Sequence, residues 1–436
     1  MKLSSLEPLL ARTIGVDRLP LPQAAIDHWQ VQRLQAQLTY CHERSAFYRR
    51  HLQTVDPGSI ASRDDLARLP LLSENDLRTQ GSAMLCVSQD AVARIITLHS
   101  SGTTGTPKRL YFTAEDLEQT LDFFHLGMQE MVAPGMSVAI LLPGATPDST
   151  GHLLAQALTR MQVASHIVGL VTQPIEAAQT LARLQPDVLV GFPVQILAIA
   201  RMSESLRLPL GTIRSVLLCS DYIADSLHAE LSALLGCDIF THYGTTETGL
   251  GGGVDCRAHS GCHLREADLL FEIIDSQTTR PLADGQWGEI VFTTLTRNGM
   301  PLIRYRTGDL GRLLPGACSC GSHIRRLDRV LGRRDQSRRL ANGSQLAMPD
   351  LDERLLSIPG LLDFKASLTT KNGQETLHLT LVAVPGKGDE VSKLAAKALN
   401  KQPSLRNIPL SLTLAQGTTI HPAKRILEDL REDRQP

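Results

Sequence analysis

The chain has few aromatic residues, only 4% of 436, and no excess of either charge, with 44 Lys and Arg facing 45 Asp and Glu. These numbers fit neither an interaction surface built on stacked rings nor a globally basic nucleic-acid binder. The same balance excludes an acidic solvating tail. Long apolar runs are missing as well. No window approaches the ~18 unbroken apolar residues of a membrane helix. The longest stretches, such as Met136 to Pro143, are strand-sized. No membrane partner and no nucleic-acid partner are expected. The opening MKLSSLEPLLARTIGVDR has no apolar core followed by a small-residue cleavage site, so a cytoplasmic location is the default expectation. Eight cysteines are too few for a disulfide framework in a chain this long; they are expected to be thiols or metal ligands. Internal repeats and low-complexity tracts are absent.

What remains is an ordinary globular balance, 42% hydrophobic and 20% charged, long enough for two or three domains. Ala24 to Leu52 contains no Gly or Pro and predicts one long amphipathic helix. From about Ile95 to Leu235, short Val/Ile/Leu-rich runs alternate with helical stretches: ARIITLHS, SVAILLPG, ASHIVGL, DVLVGFP and SVLLCSD. That alternation predicts a parallel sheet covered by helices. Thr113-Ala-Glu-Asp116 reads as a capping box. After Gly249, LLFEIID, GEIVFTT and LTRNGMPLIRYRTGDL predict antiparallel strands. The expected fold is α/β. Residues 1–334 form a large multi-layer domain with a mostly parallel sheet and a β-rich subdomain; residues 335–436 form a small α+β domain.

The most specific local signal is Ser100-Ser-Gly-Thr-Thr-Gly-Thr-Pro-Lys108, directly after a predicted strand. Gly102 and Gly105 permit a tight turn close to an anion. Ser100, Ser101, Thr103, Thr104 and Thr106 offer hydroxyls, and Lys108 offers a point positive charge. The spacing differs from the GxxxxGK[ST] of nucleoside triphosphatases. The competing reading is a plain polar turn.

Four further stretches follow in order: Val216 to Tyr222, His242-Tyr-Gly-Thr-Thr-Glu-Thr248, Pro301 to Asp309, and Gly332-Arg-Arg-Asp335 with Asn342-Gly343. Together with the loop and the opening Leu38 to Arg49, they resemble the acyl-adenylate-forming (AMP-binding) ligases. Within that superfamily the chain is most similar to phenylacetate–CoA ligase-like proteins. The resemblance implies an acid–thiol ligase that joins a small-molecule carboxylic acid, an aryl one by family, to ATP, giving an acyl-adenylate, and then to the thiol of CoA or a carrier pantetheine. It implies Glu247 as holder of Mg²⁺, Lys108 and Lys424 as further catalytic groups, and Ser100 to Gly105 around the phosphates. Ser220 and Asp221 would lie along the adenine, where the family usually has a Gly-Ala-Glu-like sequence. His242, Tyr243, Gly244, Thr245 and Thr246 would line the nucleotide and acyl site. Asp309 would accept both ribose hydroxyls, Arg333 would reach ribose or phosphate, and Asp335 would be the hinge of a mobile C-terminal domain.

Pro422 stands where the resemblance places a lysine, and Lys424, two residues on, is the substitute. That departure motivates the alternative of a nucleotide-binding or interaction protein on a ligase scaffold. Cys256, Cys262, His263, Cys318 and Cys320 form two clusters with tetrahedral zinc chemistry. The preferred ligands of this structural Zn²⁺ are Cys256, His263, Cys318 and Cys320, with Cys262 as the substitute for His263. The acyl pocket is expected from Gly191 to Pro193, the surroundings of His125, and Pro143 to His152. An acyl carrier protein and a homodimer stay open as partners. The seven arginines from Arg325 to Arg339 read as a solvated hinge surface.

Overall fold

The computed structural model describes residues 3–98, 107–333, 336–371, 373–422 and 424–431. The chain divides into two compact units. One comprises Met1–Val132, Gln156–Met161 and Phe240–Val330; the other comprises Ala133–Ala155, Gln162–Ile239 and Leu331–Pro436.

In the first unit the helix predicted over 24–52 is two helices, Gln23–Arg44 and Ala46–His51. Ser45 between them is extended, with φ −113° and ψ 127°, and its Oγ accepts from the Tyr48 amide. A serine that caps a new helix competes with continuing the old one. The first predicted parallel strand also differs. Arg94–Leu98 pairs antiparallel with Lys108–Phe112, Leu98 opposite Lys108. The connection between them is shorter than the dozen or so residues a parallel crossover needs. The capping box forms as expected: Thr113 Oγ1 accepts from the Asp116 amide, and Asp116 Oδ2 accepts from the Thr113 amide. It starts the helix Ala114–Met128. Asp116 also accepts from the amides of Asn298 and Gly299, which anchors that loop to the helix start.

Two antiparallel sheets complete this unit. The end of the strand Asp238–Tyr243 pairs with Gly253–Val254, which is followed by Cys262–Leu264, Arg326–Leu327 and Leu313–Leu314. The other sheet orders Leu269–Ile274, Gly288–Thr294 and Tyr305–Gly311. Leu34, Tyr48, Leu72, Phe271, Phe292 and Leu327 belong to the shared core. Arg304 is buried there too; its guanidinium meets Glu272 with two hydrogen bonds of 2.7 and 2.9 Å. The pairing compensates both buried charges.

The second unit holds the parallel strands, in the order Ala164–Ile167, Ser137–Leu141, Val188–Gly191 and Ser215–Leu218. The last two are buried at every position, which explains why they read as unbroken apolar runs. Helices Pro174–Leu184 and Pro193–Leu206 each begin with proline, which lacks only an amide that the helix start leaves unpaired. Farther on, Leu361–Lys371 and Gln374–Ala383 form an antiparallel pair flanked in parallel by Leu427–Asp429 and Leu410–Leu414. Helices Met348–Leu355 and Gly388–Leu399 belong to the same small α+β region. Ile196, Leu197, Leu361 and Phe364 share one core in this unit.

Candidate active site

Lys108 opens its strand and is buried, as is Glu247. Lys108 Nζ lies 2.5 Å from Glu247 Oε1, and the Tyr305 hydroxyl donates to the same oxygen at 3.2 Å. Burial opposes ionisation of Glu247, but the Lys108 ammonium outweighs it and holds the carboxyl below the usual glutamate range. Glu74 approaches Lys108 from another side, at 3.5 Å. The turn carrying Glu247 is tied by reciprocal bonds between Thr245 and Thr248. From below, the Arg297 guanidinium donates to the Glu247 carbonyl at 2.7 Å. Burial lowers the Arg297 pKa to about 10, and its side chain lies over the Phe112 ring. Gly249 follows at φ +75°; a Cβ there would sit 3.0 Å from that guanidinium.

On the strand before this turn, Tyr243 donates its hydroxyl to Asp309 Oδ2 at 3.1 Å. Asp309 is buried, and its backbone amide donates to Thr307 Oγ1 at 3.0 Å. Burial, reinforced by the Asp309 charge, raises the Tyr243 phenol well above its ordinary value. His242 points elsewhere: its ring lies 5.9 Å from the Phe123 ring, tilted by 52°. Burial depresses the His242 pKa to about 4, so the imidazole is neutral.

A second cluster lies in the same unit. Ligand atoms of Cys256, His263, Cys318 and Cys320 all fall within 4.8 Å of one another, and all four residues are buried. Cys256 Sγ and Cys318 Sγ are 3.8 Å apart, and Cys320 Sγ is 3.6 Å from His263 Nε2. Zinc bound to thiolates at ~2.3 Å has sulfur–sulfur edges of about 3.8 Å, so the donor set and its spacing fit that ion. The Ala258 amide donates to Cys256 Sγ, and the Cys320 amide to Cys318 Sγ. Such donors stabilise thiolate charge. Cys262 is not in the cluster; its sulfur faces Thr241 Oγ1 at 3.3 Å. His263, rather than Cys262, meets the other three because alternate residues of the strand face opposite sides.

In the second unit, Ser220 takes φ 73° just after its strand. Asp221 accepts from the Arg425 amide at 3.3 Å. Burial raises the Asp221 pKa, opposed by the charges of Lys424 and Arg425. The Arg425 side chain is enclosed by Asp352, at 2.9 Å, and Asp363, and lies 4.2 Å over the Phe364 ring. Gln195 donates to the Pro422 carbonyl at 3.4 Å, and the Ile420 amide to Thr172. Lys424 is exposed, and Arg333 is half-buried. The Pro147 to His152 stretch satisfies itself locally, with His152 Nδ1 accepting from the Asp148 amide at 3.0 Å.

Lys108, Tyr243, Glu247 and Asp309 are thus linked in two hydrogen-bonded pairs on one unit. Ser100, Ser101, Gly102, Thr103, Thr104, Gly105, Thr106 and Asp335 lie outside the described residues. Ser220, Asp221, Arg333 and Lys424 belong to the other unit. The sequence reading missed Glu74, Arg297 and Tyr305, which surround the Lys108–Glu247 pair. Tyr305 lies within the quoted Pro301 to Asp309, and Arg297 within the longer quoted run LTRNGMPLIRYRTGDL, but neither was singled out.

Residues 26–296, more than half of the chain, match the model of a family described as AMP-binding enzyme. The phenylacetate-coenzyme A ligase of Thermus thermophilus is 29% identical over 368 residues, covering 81% of this chain and 80% of that one. Its counterpart in Pseudomonas putida is 28% identical over 413 residues, covering 88% and 89%. A crystal structure of 2-hydroxyisobutyryl-CoA ligase, in the postadenylation state with 2-HIB-AMP, superposes with a TM-score of 0.81 at 18% identity, covering 95% of this chain and 91% of that one. That likeness establishes the fold. Family model and geometry agree, and the chain belongs to the AMP-binding enzyme family.

Proposed function

We propose that this protein is an AMP-forming acid–CoA ligase. A carboxylate attacks the α-phosphate of ATP, pyrophosphate leaves, and the thiol of CoA then displaces AMP from the acyl-adenylate. The observation that carries this reading is the buried Lys108–Glu247 pair, immediately after the hydroxyl-rich loop and in a chain similar to phenylacetate-coenzyme A ligases over most of its length. The first step brings an anion to a polyanion, so fixed positive charge is needed where negative charge gathers. Lys108 supplies it by exchanging Glu247 for phosphate oxygens. Glu247, released, is the carboxylate that would hold Mg²⁺, which supplies further charge neutralisation when bound. One carboxylate plus phosphate oxygens suits that small, oxygen-seeking ion. Asp309, steadied by Tyr243, is assigned to the ribose hydroxyls. Ser220 and Asp221 are assigned to the adenine, and Arg333 to the ribose or phosphate.

Residues 335–436 are proposed to swing about Asp335 between the two half-reactions, carrying Lys424 in place of the lysine that Pro422 replaces. Cys256, His263, Cys318 and Cys320 are proposed to hold a structural zinc ion. Cytoplasmic residence, an acyl carrier protein as alternative thiol donor, and a homodimer belong to the same reading. The alternative of a non-catalytic scaffold protein is not favoured, since the curated relatives are ligases over most of this chain. The test is a carboxylic-acid panel in ATP–pyrophosphate exchange, followed by CoA-dependent thioester formation. Exchange with at least one acid and a thioester product are expected; ATP binding without exchange on any acid would overturn the reading.

A further inference from the structure

Arg78 is used by none of the steps above. It sits one helical turn beyond Glu74, on the helix Glu74–Gln80, and donates to Glu74 Oε1 at 2.5 Å. A Glu–Arg pair at this spacing is common and steadies a helix only slightly. What sets this pair apart is a third member. The same Glu74 oxygen faces Lys108 Nζ at 3.5 Å, so one carboxylate holds the guanidinium and ammonium nitrogens, contacted at 2.5 and 3.5 Å, no more than 6.0 Å apart. Beyond Lys108 the row continues to Glu247 and the Tyr305 hydroxyl.

The base of this row is firmly placed. Leu72, two residues before Glu74, lies against the strand of Tyr305. Its amide donates to the Arg304 carbonyl at 3.0 Å, and the Arg306 amide donates to its carbonyl at 2.9 Å. A capping box between Ser73 and Asp76 then starts the helix, and Leu77 is buried beneath it. The two ends of the row differ in access. Lys108 and Glu247 are nearly solvent-free, whereas Arg78 and Glu74 keep 20% and 33% of their side-chain surface.

Two cations this close need an anion between them. The resident carboxylate carries one negative charge. A phosphate group carries more, and offers oxygens to a planar guanidinium and to an ammonium at once. We infer that Arg78 is a phosphate-binding residue of this site. With Lys108 it holds the terminal phosphates of ATP, and Glu74 is the internal anion that stands in for them before ATP enters. This rests on the ligase reading. The exposed end of the row suits the group that departs: pyrophosphate leaves toward solvent, whereas the phosphate joined to the acyl group stays. Glu74 competes with phosphate for both cations. It therefore loosens the grip on pyrophosphate and returns to Arg78 and Lys108 as that product goes.

The experiment is calorimetric titration of the full chain with ATP, AMP and inorganic pyrophosphate, magnesium present, on wild type, Arg78→Gln, Arg78→Lys and Glu74→Gln. Arg78→Gln should weaken ATP and pyrophosphate by about tenfold or more, the scale of one lost charge-assisted hydrogen bond. AMP, which lacks the terminal phosphates, should change by less than about twofold. Arg78→Lys should keep part of the affinity. Glu74→Gln should tighten ATP and pyrophosphate by roughly three- to fivefold, the scale of a partly exposed ion pair. A helix staple alone predicts otherwise, since breaking it from either side has the same effect. Arg78→Gln and Glu74→Gln shifting pyrophosphate in the same direction overturns the inference, as does an AMP loss equal to the ATP loss. Unchanged affinities in both variants overturn it too. Opposite shifts without exchange on any acid keep Arg78 on the phosphates and sink the ligase reading instead.

Discussion

At the scale of single residues, the strongest commitment is the buried pair Lys108–Glu247. Both side chains are nearly solvent-free, 7% and 8% exposed, so removing one leaves the other uncompensated. Such a loss costs about 3–5 kcal/mol. Lys108→Met should therefore lower stability by that amount in urea unfolding, and Lys108→Met/Glu247→Leu should recover much of it. In exchange assays Lys108→Met should lose on the order of 100-fold, the scale of removing one preorganised group that meets developing charge. The pH dependence has a definite sign. Glu247's carboxyl is lower in the fold than in the unfolded chain, so its contribution is complete above the ordinary glutamate range and disappears as pH falls through the lowered value. The stability that the Glu247 carboxylate contributes in the wild type should be flat above about pH 5 and shrink in acid, where the carboxyl is protonated.

At the scale of elements, two clusters stitch short pieces of chain together. The two-residue strand Arg326–Leu327 and the three-residue strand Cys262–Leu264 bury little apolar surface, and the Cys/His cluster lies beside them. Protein purified without chelator should carry about one zinc per chain by elemental analysis; less than roughly 0.2 would remove the metal from consideration. Cys318→Ser should lower zinc content together with the thermal midpoint. The other cluster fastens the segment before Leu427–Asp429, with Arg425 among Asp352, Asp363 and Asp221. Burial raises Asp352 to about 7, against the pull of Arg425. A raised carboxyl stabilises the fold while protonated, so this contribution is present below the ordinary aspartate range and is lost as pH rises through about 7. Asp352→Asn should flatten the stability–pH curve between about pH 4 and 7. An NMR titration of that carboxyl in the wild type gives the direct readout.

At the scale of the whole molecule, the question is how the C-terminal residues take part. Lys424 is exposed and its charge acts on Asp221 within one unit. Lys424→Ala should lower carboxylate-dependent exchange by tenfold or more, about 1.4 kcal/mol of barrier. Thioester formation from a preformed adenylate should be less affected. An unchanged exchange rate would leave Lys424 without a part in adenylation.

The amino-acid sequence by itself determined whatever depends on local chemistry. The four parallel strands were legible as apolar runs, the capping box at Thr113 as a spacing, and the Lys108, Glu247 and Asp309 motifs as residues in order. It could not determine which residues meet across long stretches of chain. Lys108 and Glu247 are 139 positions apart, and Glu74, Arg297 and Tyr305 reach that pair from three other elements. Tertiary structure alone decided that Arg94–Leu98 turns back on Lys108–Phe112 instead of entering the parallel sheet, and that His263, not Cys262, faces the other cysteines. The reason is the same in both cases. A strand's direction and the side toward which each residue points are set by its partners, and those partners are distant in sequence.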